Sequence, residues 1–327
     1  MVMQGDTTGE PTPIALSQVA PELRDRIRSF PRLPITNGTA RWLLRGISKL
    51  FARDKSCEGV QLQKHRTKAG ADVRVFVPDA RAGSAALLWI HGGGLVIGNA
   101  AQDDLFCAET ARELGIVVVA AEYRLAPEFP FPAALEDCFS AWAWLLESAQ
   151  QFRIDPLRVA VGGQSAGGGL AASLAQRIHD AGGAQPAAQW LFSPMLDDRT
   201  ALARELDVVG HYVWDNRQNR FGWQAYLGDT FGTPQVPDHA VPARRSSLEG
   251  LPPAWIGVGD IDLFFHEAAA YAERLNAAGT ACALDVVPGA PHGFETIAPD
   301  AELVKRYLAR GRAWLREALQ PVSPFPG

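Results

Sequence analysis

The sequence predicts an α/β protein whose mostly parallel β-sheet carries helices on both faces. The first observation is a set of short apolar or alternating segments that predict eight strands. The second is that amphipathic segments with helical spacing separate most of these strands, and such alternation is typical of a parallel sheet. The predicted strands are residues 60–63, 73–77, 85–90, 116–121, 157–161, 189–195, 254–259 and 283–287.

The residue pattern distinguishes two kinds of strand. Apolar and polar side chains alternate in residues 60–63 and 73–77, which predicts a hairpin. Residues 85–90 and 116–121 are continuous apolar runs that predict buried strands. The predicted helices are residues 21–30, 39–51, 102–113, 132–147, 266–278 and 301–319, together with a segment that follows residue 165.

Composition limits the function classes. The chain has 327 residues, 47% of them hydrophobic, and a net charge of −5 without any run of Lys or Arg, so we do not expect nucleic acid as a partner. No apolar run approaches the roughly 18 residues that a membrane span requires, and the first residues lack the pattern of a signal peptide. We therefore expect a cytoplasmic protein without a membrane span.

The cysteines give no sign of a metal site. Cys57, Cys107, Cys138 and Cys282 are scattered without metal-ligand spacing, which predicts buried reduced thiols. The sequence also lacks the motifs of zinc hydrolases and of P-loop proteins. We expect neither a metal nor a cofactor.

A serine lies at the centre of the most informative stretch, residues 157–172, LRVAVGGQSAGGGLAA. A β-compatible run enters two glycines, and an Ala/Leu/Gly-rich segment follows, which predicts a strand, a sharp turn and a helix. Residues 163–167 have the form G-x-S-x-G, in which the serine on the strained turn is presented as a nucleophile. Ser165 would precede the helix, so the free backbone N–H of Ala166 can face a developing negative charge.

Residues 167–172 also match G-x-G-x-x-A, a loose dinucleotide-binding pattern. In that motif the first glycine closes the strand, whereas Gly167 lies six residues beyond Val161. The acidic residue expected roughly 20 positions later is also missing. We therefore prefer the nucleophile interpretation.

A serine nucleophile needs a histidine to take its proton and a carboxylate to orient that histidine. His292 follows the last predicted strand in a turn-rich loop, PGAPHGF, and Asp260 and Asp262 both follow the preceding strand. The order serine, acid, histidine is that of a known hydrolase class. Spacing alone leaves both aspartates open as the acid.

A glycine-rich loop, His91-Gly92-Gly93-Gly94, lies between a predicted buried strand and the next helix. Hydrolases supply oxyanion-hole N–H groups from this place, and glycines let the backbone approach the substrate oxygen closely. We expect His91 to orient the loop rather than to transfer protons.

Five motifs follow one another along the chain: HGGGLVIG at 91–98, YRLAPE at 123–128, GGQSAGG at 162–168, GDIDLF at 259–264 and PHGF at 291–294. Together they resemble the hormone-sensitive-lipase-like branch of the α/β-hydrolases, the bacterial esterases with an HGGG signature. The resemblance covers roughly residues 60–318 and implies an α/β-hydrolase fold with an eight-stranded sheet and a helical cap.

The resemblance also implies a role for each site residue. It makes Ser165 the nucleophile, His292 the base and Asp262, rather than Asp260, the acid. It further implies an oxyanion hole with N–H groups from Gly93, Gly94 and Ala166, in a loop shaped by Gly92.

Two positions depart from the family pattern. Gln164 stands before the serine where these esterases usually carry Asp or Thr, so a hydrogen-bond network built there on a carboxylate must be rearranged. The common D-P-L sequence is Asp262-Leu263 here, without the proline, which affects the geometry of the acid's loop.

The resemblance implies a cap made of N-terminal helices and an insertion. We expect residues 1–55 to form the N-terminal cap helices and 196–243 the cap insertion, which lacks an obvious strand, with 56–195 and 244–327 as the two parts of the catalytic domain. The cap aromatics either line an apolar substrate pocket or pack the cap on the core; they are Trp42, Trp214, Phe221, Trp223 and Tyr226.

These features predict a serine carboxylesterase that hydrolyses small-molecule esters with short to medium acyl chains through an acyl-enzyme. The same residues could also cleave an amide, a carbamate or a lactone. A non-catalytic small-molecule receptor on this fold is a further alternative, but receptors that resemble this family lack the histidine that this chain keeps as His292. We also expect a homodimer formed through the C-terminal edge strand, residues 282–287.

Overall fold

The computed structural model describes residues 12–31, 33–50 and 54–321. It contains an eight-stranded sheet. The strands are β2 (Val60–Arg66), β3 (Asp72–Pro78), β4 (Ala86–Ile90), β5 (Val117–Ala121), β6 (Val159–Gln164), β7 (Gln189–Phe192), β9 (Ala254–Gly259) and β10 (Cys282–Val287). Their order across the sheet is β10-β9-β7-β6-β4-β5-β3-β2. In the described part of this sheet β3 pairs antiparallel with β2 and β5, and the other pairs are parallel, which confirms the predicted fold class.

Helices cover both faces of the sheet. They are α1 (Arg24–Ser29), α2 (Gly38–Leu50), α3 (Asp104–Leu114), α4 (Ala133–Glu147), α5 (Ala166–Ala181), α6 (Asn216–Leu227), α7 (Phe265–Ala277), α8 (Phe294–Ile297) and α9 (Glu302–Ala318). Parts of the segments 1–55 and 244–327, and the last residue of the predicted helix 39–51, lie outside the described residues.

Alternate residues of the central strands enter two apolar clusters. Leu88 and Val119 belong to one cluster, and their neighbours Leu87 and Val118 belong to the other. Since successive side chains of a strand point to opposite faces, each cluster joins one face of the sheet to its helices. The sheet is therefore buried on both sides, which holds its strand ends in fixed positions.

The predicted boundaries of β6 are wrong at both ends. The strand begins at Val159, because Pro156–Arg158 form a helical turn in which the Asp155 side chain accepts a hydrogen bond from the N–H of Leu157. It continues through Gly162 and Gly163, which pair with β4 and β7. The two glycines predict the end of the strand, but they extend it to Gln164, the residue before Ser165.

Residues 196–243 contain a short strand that the sequence pattern did not predict. β8 (Val209–Gly210) pairs in parallel with β1 (Thr12–Pro13). Two residues are too few to give a periodic pattern, and their partner lies about two hundred positions away. The pairing ties the insertion to the N-terminal segment.

Two further findings concern membranes and cysteines. No helix in the described residues is long and apolar enough to cross a membrane. Cys107 and Cys138 are buried thiols, but Cys57 and Cys282 are partly exposed, so the prediction of full burial is wrong for these two. Cys282 begins an edge strand and Cys57 precedes one, and such positions retain solvent contact.

Candidate active site

Ser165 lies between β6 and α5 in a strained backbone conformation, with φ 58° and ψ −122°. A non-glycine residue at positive φ costs about 1 to 2 kcal/mol. Three backbone hydrogen bonds hold it there: its N–H donates to Phe192, and its carbonyl accepts from Gly169 and Met195, at 2.8 to 3.0 Å. The hydroxyl is therefore presented at the edge of the sheet by a rigid turn.

The glycines on either side of Ser165 allow this turn. A Cβ atom at Gly163 would lie 2.4 Å from the carbonyl oxygen of Gly167, and one at Gly167 would lie 2.1 Å from that of Ile90. Both distances are shorter than any normal contact, so no other residue type can occupy these positions without moving the turn.

Ser165, His292 and Asp262 form a continuous hydrogen-bonded chain. His292 Nε2 lies 2.8 Å from Ser165 Oγ, and His292 Nδ1 lies 2.8 Å from Asp262 Oδ2. The other carboxylate oxygen of Asp262 accepts a hydrogen bond from the N–H of Phe264 at 2.9 Å. Because an ionised carboxylate can only accept, Nδ1 carries the proton and Nε2 is free to accept one from the serine.

The neighbouring carboxylate, Asp260, has a different partner. Its Oδ1 accepts a hydrogen bond from the N–H of Gly289 at 2.6 Å, which joins the loop after β9 to the loop after β10. The structure thus places Asp262, and not Asp260, against His292.

Burial and charge act in opposite directions on His292. Burial disfavours the charged imidazole, but the nearby Asp262 carboxylate and its hydrogen bond, together with the charge of Glu295, raise the pKa of His292 above its usual value. The site therefore stabilises an imidazolium even though the ring is buried.

The glycine-rich loop after β4 passes directly beside the serine. A Cβ atom at Gly92 would lie 3.3 Å from Ser165 Cβ, and one at Gly93, whose φ is 124°, would lie 2.1 Å from the carbonyl oxygen of Ile97. Ala166 is the first residue of α5, so its N–H has no partner within the helix. The glycine-rich loop and the first residue of α5 thus both lie beside Ser165.

His91 supports this loop from behind. Its ring stacks on Tyr123 at 4.1 Å between centroids, and its Nδ1 lies 2.8 Å from the carbonyl oxygen of Gly92. The Tyr123 hydroxyl donates to the carbonyl of His91 at 3.0 Å. These contacts give His91 and Tyr123 a structural role in fixing the loop.

The insertion covers the loop with an aromatic ring. A Cβ atom at Gly94 would lie 2.0 Å from Trp214 Cη2, so the indole packs against this glycine. Gly222 of α6 also lies close to this loop, since a Cβ atom at Gly222 would lie 2.7 Å from the carbonyl oxygen of Gly94. Of the five predicted pocket aromatics, Trp214 is the one that these contacts bring to the loop.

The other four aromatics occupy different surroundings. Trp223 and Tyr226 are buried in the apolar cluster, where Tyr226 packs on Phe131, so both join the insertion to the core. The Arg41 guanidinium lies 4.9 Å from the centre of the Phe221 ring. Trp42 is 72% exposed on α2. These contacts favour the packing alternative for Trp223 and Tyr226.

Two ionisable residues near the site were not found from the sequence. His211 follows β8, and burial lowers its pKa although the charge of Asp262 raises it. Glu295 lies three positions after His292 and is buried. Glu295 follows the PHGF motif directly, but a lone acid after a motif gives no signal of burial.

The fold and the arrangement of the site are those of a serine hydrolase on a parallel α/β sheet, with the serine after β6, the acid after β9 and the histidine after β10. The chain belongs to the family defined by the alpha/beta hydrolase fold, which matches residues 87–296.

Individual relatives place the chain more closely. It is 38% identical over 227 residues to the carboxylic ester hydrolase LipN of Mycobacterium tuberculosis, a match that covers 68% of this chain and 60% of LipN. Its fold is similar to that of a bacterial heroin esterase, with a TM-score of 0.86, 35% identity and coverage of 94% and 99% of the two chains. An esterase of the bacterial hormone-sensitive lipase family gives a TM-score of 0.75, 29% identity and coverage of 92% and 99%. The resemblance to this branch is confirmed.

Proposed function

We propose that this protein is a serine carboxylesterase that hydrolyses small-molecule carboxylic esters through an acyl-enzyme on Ser165. One observation carries the proposal: the two 2.8 Å contacts of His292, one to the Ser165 hydroxyl and one to the Asp262 carboxylate. This geometry lets one imidazole remove and return the same proton.

The reaction has two halves. Ser165 Oγ attacks the ester carbonyl carbon while its proton passes to His292 Nε2, and Asp262 stabilises the resulting imidazolium. The tetrahedral intermediate collapses, and the alcohol leaves with the proton from Nε2. Water then attacks the acyl-enzyme by the same transfers, which releases the acid and restores the serine hydroxyl.

The negative charge of each tetrahedral intermediate requires N–H donors close to the serine. We assign this role to the N–H groups of Gly93, Gly94 and Ala166, with Gly92 allowing the loop to approach the serine. Each such donor contributes about 3 kcal/mol to transition-state stabilisation.

Contacts of the insertion support the predicted cap. We assign residues 1–55 and 196–243 to the cap, because β1 pairs with β8 and because Trp214 and Gly222 cover the loop at Gly94. We propose esters with short to medium acyl chains as substrates, and the Trp214 indole beside Gly94 supports a substrate site of limited length.

The free edge of the sheet supports a homodimer. β10 is the outermost strand, and it exposes Leu284 (38%) and Val286 (36%). An edge strand with exposed apolar residues pairs readily with a second copy. Light scattering tests this: a monomeric mass at micromolar concentration would exclude the dimer.

The esterase assignment is tested by Ser165→Ala, with Ser173→Ala on the same helix as the matched control. We expect Ser165→Ala to abolish hydrolysis of p-nitrophenyl butyrate at an unchanged melting temperature, while the control keeps its activity. Matched amide and lactone substrates distinguish esterase from amidase and lactonase activity. Hydrolysis retained in Ser165→Ala would contradict the assignment.

A further inference from the structure

Glu295 is a buried acid beside the candidate triad that the proposed mechanism does not use. It lies in the first turn of α8 and is only 7% exposed. Among the described residues, neither of its carboxyl oxygens has a well-formed hydrogen bond. Burial of a carboxyl without a close hydrogen bond disfavours its ionised form, so the groups around Glu295 decide whether it carries a charge.

Gln164, the residue before the nucleophile, is one of the side chains that act on the Glu295 carboxyl. A Cβ atom at Gly92 would lie 2.3 Å from Gln164 Oε1, and one at Gly293 would lie 3.4 Å from Gln164 Nε2. The carboxamide therefore spans the space between the oxyanion loop and the histidine loop. Its oxygen is directed to the first loop and its N–H group to the turn that carries Glu295.

The charges of Glu295 and His292 are coupled. Burial raises the pKa of Glu295 to about 7, while the Gln164 amide and the charge of His292 favour its ionised form. In the other direction, the charge of Glu295 raises the pKa of His292. The ionised form of Glu295 and the protonated form of His292 thus stabilise each other.

Other groups from the surrounding elements share this environment. Asp262 disfavours the ionisation of Glu295, and Glu295 in turn disfavours that of Tyr307 on α9. His211, from the insertion, faces Asp262 and His292. A carboxylate at position 164 would add a third acid beside Asp262 and Glu295. It could not donate a hydrogen bond to the Glu295 carboxylate, whereas the amide of Gln164 can.

We propose that Gln164 and Glu295 form a positioning pair, in which the amide orients the Glu295 carboxylate and this carboxylate supports the imidazolium of His292 together with Asp262. The inference rests on the proposed function, since it assigns a second acid to the same proton transfer. Neither residue touches the reacting atoms, so both act through His292 and the two loops.

The test is the pH profile of kcat/KM for p-nitrophenyl butyrate in Glu295→Gln, with the exposed Glu302→Gln as the matched control. Loss of the negative charge lowers the pKa of His292, so we expect the acid limb to move down by about 0.5 pH unit or more. We also expect kcat on the plateau to fall about threefold or more at an unchanged KM, because the imidazolium loses the same stabilisation. The control profile should coincide with that of the wild type.

A double variant separates charge from packing. Gln164→Glu combined with Glu295→Gln returns one carboxylate and one amide to the pair, and we expect it to move the acid limb back toward that of the wild type. If circular dichroism shows that Glu295→Gln does not fold, Gln164→Leu takes its place. We expect Gln164→Leu to move the acid limb of kcat/KM to lower pH as well.

An active, folded Glu295→Gln enzyme with an unchanged acid limb would overturn the inference and leave the esterase assignment intact. A wild-type protein that hydrolyses no ester would instead contradict the proposed function.

Discussion

The choice between the two neighbouring aspartates gives the sharpest test of the site. Asp262→Asn keeps the shape of the side chain but removes its charge, and the new amide can donate to His292 Nδ1. The imidazole would then carry its proton on Nε2, where it cannot accept one from Ser165. At an effective dielectric constant of about 20, unit charges 2.8 Å apart attract by about 6 kcal/mol. We therefore expect kcat to fall about 10⁴-fold.

The matched control is Asp260→Asn, two positions away. Its amide oxygen can still accept the hydrogen bond from the N–H of Gly289, so we expect kcat to change less than about threefold. The assay is steady-state hydrolysis of p-nitrophenyl butyrate at pH 8, with the melting temperature measured in parallel. If Asp262→Asn kept a tenth of the activity, or if both variants lost the same amount, the assignment of the acid would be refuted.

Three further predictions concern the oxyanion loop, pH and stability. Gly94→Ala should lower kcat about 10- to 100-fold, since the added Cβ would lie 2.0 Å from the Trp214 ring. Steady-state kinetics should show partial recovery of kcat when Trp214→Ala is added, and no recovery would argue against this contact. The pKa of His292 is raised, and only the neutral ring accepts a proton from Ser165. We therefore expect kcat/KM to fall with decreasing pH, with a midpoint above about pH 6.5. A midpoint of kcat/KM below that pH would contradict this. Arg74→Met should lower the free energy of unfolding by about 3 kcal/mol, because it removes the ion-pair partner of the fully buried Asp104 carboxylate, which keeps the hydrogen bond from the N–H of Lys55. An unchanged midpoint in urea denaturation would be the contrary result.

Much of the sheet could be predicted from the sequence because buried strands are continuous apolar runs. The predicted strand 254–259 coincides with β9, and β4 and β5 differ from their predictions by one residue. The errors at the ends of β6 and β7 lie where glycine or serine follows an apolar run. Glycine is compatible with both strand and turn, so the sequence pattern ends β6 too early. The positive φ of Ser193 ends β7 three residues before its predicted end.

The sequence predicts those residues of the candidate site that belong to motifs. The G-x-S-x-G and HGGG motifs carry their geometry in their own spacing, so the sequence led to Ser165 and the glycine loop. The surroundings of the triad could be predicted only in part. His211 and the contact of Trp214 with the loop depend on tertiary packing, and Glu295, although three positions from His292, gives no sign of its burial in the sequence. Trp214 and Trp223 belong to the same buried cluster, and aromatic content alone does not indicate that Trp214 is the one packed against Gly94.

The central claim is that Ser165 is activated by His292, and mass spectrometry after treatment with a fluorophosphonate tests it most directly. We expect one phosphonyl group per chain, located on the peptide that contains Ser165, and labelling slowed by orders of magnitude in His292→Ala. Labelling of another residue, or equally fast labelling of Ser165 without the imidazole, would contradict the claim.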